Sequence, residues 1–505
     1  MTAPTKSIPV AIGSQTAKSA AWLASATLFS RGLSLVRMLI LAAILPLDQL
    51  GLFGISVIVM QFLTRISETG MTQALIQKKG EVADYLGTAW LTQITRGLML
   101  SVMLLCSATL LEGFFEKEGV ARLLTVMAVI PVLQGIQNVG LIYLHRELRF
   151  KKIVLIEMIT SPLELLVSIG IVWFYQDAMA LVIARITNSA VTVVLGYFIE
   201  KRRAQINFSM PKFQELYGFG FWIFASSILS FTLVRGSDII IGKYLTADKL
   251  AIYQIAYGLA CVPLMEIIKV VGRPTFSAYS RLQDDHPRFC HAFLRVYSLI
   301  CFIAAFSIAG FFCLSFDFVS VFMKAELLPI AVMLPWLSVW AACRSLGATN
   351  SVVLQAAGKP AYATIFQIFM LILFASVLLP MTIRYGSFGA IYSLVGIGIS
   401  AQLFRYSILS FVLKIPLQQI VVSIFVPMSL ALTASLITTS TMNIFCSDPG
   451  IVRLIIGLVT LTLTYGVMAL FSERWLGFGL SKFATHQIPI SVSYTHLTLP
   501  TKRIV

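Results

Sequence analysis

Windows of about 20 apolar residues, the length a helix needs to cross a bilayer, follow one another from residue 17 to residue 471 with no long polar stretch between them. That succession permits few folds. In hydrocarbon every backbone amide needs an internal partner, so a chain of this kind spans the membrane as helices. The composition agrees: of 505 residues, 58% are hydrophobic and 12% charged, and the mean hydropathy is +0.88, outside the balance of a soluble domain. The expected fold class is an all-α polytopic membrane protein.

Fourteen spans are predicted, near 17–45, 48–68, 84–110, 120–143, 153–175, 178–199, 214–242, 249–271, 289–314, 327–347, 361–382, 386–412, 417–440 and 450–471. The stretch "LSFDFVSVFMKAELLP" also fits an interfacial hairpin. One set of loops carries Lys78 and Lys79, Arg146 to Lys152, the linker "EKRRAQINFSMPKFQE", and Arg273, Arg281 and Arg288. The opposite loops carry Asp48, the acidic "EGFFEKEG" and Asp177, with Lys243 and Lys249 as exceptions. Short cytoplasmic loops are rich in Lys and Arg, so both termini are expected inside, in a bacterial cytoplasmic (inner) membrane. The polar N-terminus lacks the compact apolar core of a cleaved signal. "VSYTHLTLPT" (Val492–Thr501) follows no membrane logic, resembles a read-through sequencing adapter, and is set aside with the rest of 492–505.

"LPLDQLGLFGIS" (Leu45–Ser56) and "LTADKLAIYQIA" (Leu245–Ala256) align without a gap. Two similar halves are expected, 1–212 and 213–414, each a six-helix bundle beside a central cavity. Two further helices lie in 415–475, followed by a tail, 476–505. Matching loops an even number of spans apart give the halves one orientation, about an axis along the membrane normal.

An ionisable group at bilayer depth costs about 2.5 kcal/mol or more and so faces a cavity or a partner. Arg31, Arg96 and Arg185 have no acidic neighbour in sequence, and a water-filled cationic interior is the expected setting for them. Arg37 and Arg235 form a second tier. Arg235 with Asp238, and Glu266 with Lys269, are i,i+3 pairs that also fit self-neutralisation. Arg37 and Arg405 lie near enough to span ends to snorkel. Glu157 and Glu164, seven apart, share a helix face; pairing with these arginines and binding a coupling cation both fit. Gly32, beside Arg31, is read as a bend, and Pro131, Gly135, Gly236, Pro263 and Gly347 as further interruptions.

A cationic cavity calls for an anionic substrate, and guanidinium matches phosphate by bidentate hydrogen bonds. A pyrophosphate fits, its lipid tail staying in the bilayer while its polar head crosses. The net charge of +16 is mostly loop charge, so nucleic acid is not an expected partner, whereas anionic membrane lipids are. Seven cysteines and five histidines show no metal or acid/base spacing. No catalytic residue, metal or cofactor is expected, and an enzyme is disfavoured.

Several segments carry a family resemblance: "DQLGLFGI", "ISETGMTQALIQKKG" (Ile66–Gly80), "LHRELRFKKIVLIEMI" (Leu144–Ile159), "SDIIIGKYLTADKLAIYQIAYGLACVP" (Ser237–Pro263), "VGRPTFSAYSRLQDD" (Val271–Asp285) and "LQAAGKP" (Leu354–Pro360). In this order the chain resembles the polysaccharide transporter branch of the multidrug, oligosaccharidyl-lipid and polysaccharide exporter superfamily, the flippases for O-antigen, colanic-acid and teichuronic-type lipid-linked oligosaccharides. The resemblance implies two bundles around a cavity of alternating access, positive residues within it, and hand-over to polysaccharide polymerase and export machinery. The chain departs from relatives at Ala43, where an arginine is common. A cation-coupled multidrug exporter of the same fold is the alternative; it would rest on acidic cavity residues, for which Glu157, Glu164 and Asp238 are available.

Overall fold

Apolar runs broken by Gly, Pro and charged loops become helices, and the computed structural model describes them over residues 11–476, apart from 69, 79, 148, 219 and 447. The tail expected to be adapter-derived lies outside the described residues. Among those residues there is no strand. The first half of the chain forms α1 (Ala11–Ile44), α2 (Leu47–Ile66), the short α3 (Met71–Gln77), α4 (Ala83–Phe115), α5 (Val120–Met127), α6 (Val129–Gly135), α7 (Ile142–Arg146), α8 (Phe150–Phe174) and α9 (Met179–Ile199). After a connecting segment come α10 (Met210–Gly218), α11 (Gly220–Tyr244), α12 (Ala247–Leu282), α13 (His286–Phe322), α14 (Pro329–Ala356), α15 (Pro360–Leu373), α16 (Leu379–Leu413), α17 (Leu417–Phe445) and α18 (Ile451–Leu476).

Nine helical stretches among the described residues are long and apolar enough to cross a membrane, ten if a pair bent by 61° counts as one. The expected fourteen is not reached on that measure. One of the nine, 361–413, is 53 residues long, roughly 80 Å as a straight helix against a hydrocarbon core of about 30 Å. It turns at Gly386, whose φ of 65° and ψ of −146° suit only glycine. Phe366 and Phe369 then lie 5.6 and 4.6 Å from Phe404, so α15 runs beside the later part of α16.

Three local readings change. The fourth span is broken: α5, α6 and α7 are separated near Ala128 and residues 136–138, where Asn138 accepts from the Gly140 amide at 2.9 Å and donates to the Glu200 carbonyl at 2.9 Å. The stretch around 314–330 is no hairpin, because α13 continues to Phe322 and α14 starts at Pro329. Gly32 interrupts no helix: α1 runs through it, and a Cβ there would touch nothing within 4 Å, so no close approach requires a glycine.

The two repeated segments begin α2 and α12, and these helices pack face to face. Gly51 lies against the backbone carbonyl of Ala247, and Gly54 against the side chain of Gln254. Gln254 is the repeat counterpart of Gly54, so at this contact the two copies meet across their own relation. α2 also packs on α11, while α1 reaches α12. α17 and α18 lie on α13, where Asp317 and Arg453 are 3.5 Å apart.

The basic segment after α9 is a strap. Its Gln205 and Asn207 carbonyls press on Gly87 of α4, and Thr88 accepts from the Ser209 amide at 3.1 Å. Lys212 donates to the Asp84 carbonyl at 3.0 Å, Tyr85 donates to Glu215 at 2.9 Å, and Lys78 pairs with Glu215. Lys78 and then Tyr85 hold the Glu215 carboxyl below the usual carboxylate range. Arg202 bonds Glu147 at 2.6 Å and Glu200 at 2.9 Å above the Tyr143 ring.

Two outcomes follow from these contacts. Gly51→Val forces a branched side chain onto backbone that cannot rotate away, and overpacking costs about 1–3 kcal/mol; the unfolding midpoint in detergent should fall, while Gly113→Ala, in open space within α4, should leave it no lower. Because the Glu215 carboxyl is depressed in the folded state, its contribution is present above the ordinary value of about 4.3 and disappears as pH falls through the lower folded one. Limited proteolysis of 200–218 should therefore rise at acid pH, and Glu215→Gln should show that sensitivity at neutral pH.

Candidate functional site

Beneath the α2–α12 contact lies a cavity of about 470 Å³ that takes residues from both halves of the chain. α1 supplies Arg31, α9 Arg185, α11 Arg235 and Asp238, α12 Glu266, and α14 Arg344. Among the described lining residues, four guanidinium groups face two carboxylates, a surplus of two positive charges.

The partners differ. Arg235 is bonded to Asp238 at 2.9 Å, the i,i+3 pair expected from sequence. Arg31 reaches across to Glu266 on α12 at 3.2 Å, with half of its own side chain still exposed. Arg344 donates to the Tyr257 hydroxyl, and Tyr253 donates to Ser237 at 2.9 Å behind it. Arg185 makes no hydrogen bond or ion pair among the described residues. Glu164 reaches Arg185 only through its field, and a guanidinium at this depth that no carboxylate bonds is stable beside water or an anion, so Arg185 is the group most available to a ligand.

The structure separates two of the expected site residues from this cavity. Arg96 lines another cavity of about 390 Å³ with Gln93, Gln134, Asn188 and Thr192. Its Nε donates to Ser67 at 3.0 Å and its Nη2 to the Thr64 carbonyl at 2.8 Å. Those groups end α2, where carbonyls lack helical partners, so Arg96 caps that helix. Arg37 pairs with Glu164 on α8, whose other oxygen accepts from Asn188 at 2.8 Å. Neither Arg37 nor Arg405 snorkels: the first is tied to Glu164, and the second is 8% exposed inside the second half. Glu157 is half-buried on α8, within the field of Arg31.

Arg344 escaped the sequence reading. The predicted span 327–347 puts it near an end, whereas α14 continues to Ala356 and places it mid-helix. The signal was present in "WAACRSLG", a lone arginine among small and apolar residues.

A family model described as polysaccharide biosynthesis protein matches residues 40–332. The lipopolysaccharide biosynthesis protein WzxC of Escherichia coli (strain K12) is 27% identical over 364 residues, covering 71% of this chain and 74% of that protein. The teichuronic acid biosynthesis protein TuaB of Bacillus subtilis (strain 168) is 22% identical over 351 residues, covering 69% and 72%. Among solved structures, a lipid II flippase MurJ in an inward closed conformation superposes with a TM-score of 0.71 at 16% identity, over 90% of this chain and 99% of that one. An inward-facing multidrug resistance MATE family transporter gives 0.58 at 16% identity, over 76% and 94%. At these identities the structural matches establish the fold alone, that of a multi-pass membrane protein.

The Arg37–Glu164 pair offers a direct test of structural against ligand-binding charge. Arg37→Ala leaves Glu164 without its cation and should cost about 2 kcal/mol, partly screened by the pair's residual exposure. The double change to Ala at both positions should cost less than the two single changes summed, measured by thermal unfolding as a double-mutant cycle.

Proposed function

The chain belongs to the polysaccharide biosynthesis protein family, and from that premise we propose that it is a flippase for polyprenyl-pyrophosphate-linked oligosaccharide units in surface polysaccharide synthesis. The observation that carries this reading is the convergence of Arg31, Arg185, Arg235 and Arg344 from five helices with Glu266 and Asp238 on one cavity. Arg185 holds the pyrophosphate directly. Arg31 and Arg344 approach it from opposite halves, and Arg235 stays tied to Asp238. Arg96 and Arg37 serve structure.

The basic face, with Lys78, Arg146, Arg202 and Lys212, is the cytoplasmic one in this reading, in the inner membrane of a bacterium with both termini inside. The head group enters from that side while the lipid tail stays in the bilayer. On the opposite side, the close α2–α12 contact at Gly51 and Gly54 is the closed gate. The halves 1–212 and 213–414 then rock about it, with 415–475 carried on α13, and the unit passes to polymerase and export machinery outside.

α9 supports the placing of the glycan. Asn188, Ser189 and Thr192 continue the Arg185 face at i+3, i+4 and i+7 into the amide-lined cavity, about 10 Å further along the helix. A phosphate at Arg185 therefore has hydrogen-bonding groups for neutral sugars one and two turns away.

The cation-coupled drug exporter remains the alternative on the fold it shares with MATE transporters. Of the acids it would use, Asp238 is occupied by Arg235 and Glu164 by Arg37; Glu157 makes no ion pair among the described residues and lies in the field of Arg31.

Complementation of a strain lacking its own lipid-linked oligosaccharide flippase tests the assignment at matched membrane abundance. Surface polysaccharide should return with the wild-type chain and fall at least about tenfold with Arg185→Ala or Arg344→Ala, a loss of about 1.4 kcal/mol or more in transition-state binding. Arg96→Ala should accumulate less protein from the same expression level and, once abundance is matched, export as the wild type does. Drug resistance without restored polysaccharide would overturn the flippase reading.

A further inference from the structure

Behind the central cavity, the second half of the chain contains a smaller one of about 170 Å³, between α11, α14, α15 and α16. Arg405 projects into it from α16, and it is 8% exposed. A buried guanidinium ordinarily has a carboxylate beside it. Arg405 has none among the described residues. Its contacts are the Gln402 oxygen at 3.4 Å, which Asn350 also approaches at 3.4 Å, the Met370 sulfur at 3.3 Å, and the face of Phe366 at 5.5 Å. Its Nε has no acceptor.

A second orphan donor belongs to a residue of the same lining. Trp340 is 1% exposed, and its Nε1 has no acceptor among the described residues. Room for the guanidinium is provided by Gly347, where any Cβ would collide with it. Gln367, Ser351 and Ser230 complete the polar lining. A buried positive charge, two donors without acceptors and a cavity together constitute a site that lacks its acceptor.

We propose that this cavity binds a small monovalent inorganic anion of the halide class, held by Arg405 and the Trp340 Nε1. The charge balance argues for one negative charge. Arg344, on the wall shared with the central cavity, is bonded to the Tyr257 hydroxyl and lies in the field of Asp238, so Arg405 is the one guanidinium this smaller cavity holds with no carboxylate in its field. The site is also linked to transport. An anion here lies one guanidinium away from the substrate phosphate and draws on the positive field of Arg344, so its occupancy weakens the central cavity's hold on an anionic head group.

The test is thermal unfolding of the full chain in detergent at constant ionic strength, in sodium chloride, bromide, phosphate or gluconate. Wild type should show a saturable rise in midpoint of about 2 °C in chloride and bromide over gluconate. Arg405→Gln and Trp340→Phe should lose that rise, whereas Arg31→Gln, in the central cavity, should keep it. Trp340→Phe removes the N–H while keeping an aromatic ring, and keeps the test open if Arg405→Gln does not fold. Equal midpoints in all four salts would overturn the proposal, as would a chloride effect retained in Trp340→Phe or lost in Arg31→Gln. An effect confined to phosphate would replace the halide with an oxyanion and overturn the monovalent assignment.

Discussion

A guanidinium cannot rest in hydrocarbon without a partner, and the arrangement of this molecule depends on where each buried arginine finds one. Arg37 is neutralised within its own bundle by Glu164, Arg235 by a neighbour on its own helix, and Arg96 by the spent end of α2. Arg31 differs, because its carboxylate sits on α12 in the other half of the chain. That ion pair joins the halves across the cavity they enclose. Any change of access must either break it or supply Arg31 with another anion, and a substrate phosphate is such an anion.

Close approach on the opposite side has a different origin. α2 and α12 are held together by what is missing, the side chains at Gly51 and Gly54, which lets backbone meet backbone and Gln254. Small residues permit such contacts between membrane helices without a hydrophobic driving force. This contact is thus made of packing and the cavity of charge. At the rim, Lys243 reaches Glu116 at 2.7 Å from α11 to the end of α4, and the solvent-facing pair adds little beside the helix contact.

Part of the lining of the candidate cavity was legible before the fold was known. The cost of charge in lipid singles out Arg31, Arg185 and Arg235, and all three line the central cavity. The same cost could not distinguish Arg96, because a carbonyl at the end of a helix leaves no trace in composition, and a cap satisfies a guanidinium as a ligand would. Arg344 and Arg405 were obscured by span boundaries. Hydropathy places a helix end only within a few residues, and a snorkelling arginine differs from a buried one by about that distance.

The sequence alone determined that this chain is a bundle of membrane helices with a repeated element and a positively charged interior. Each of those properties is written locally, in run length, in aligned segments and in residues too costly to face lipid. Only the tertiary structure decided which charges meet. Arg31 and Glu266 are 235 positions apart and Arg185 and Arg344 are 159 apart, so their convergence depends on how helices from two halves pack, and no pattern within a single segment encodes that.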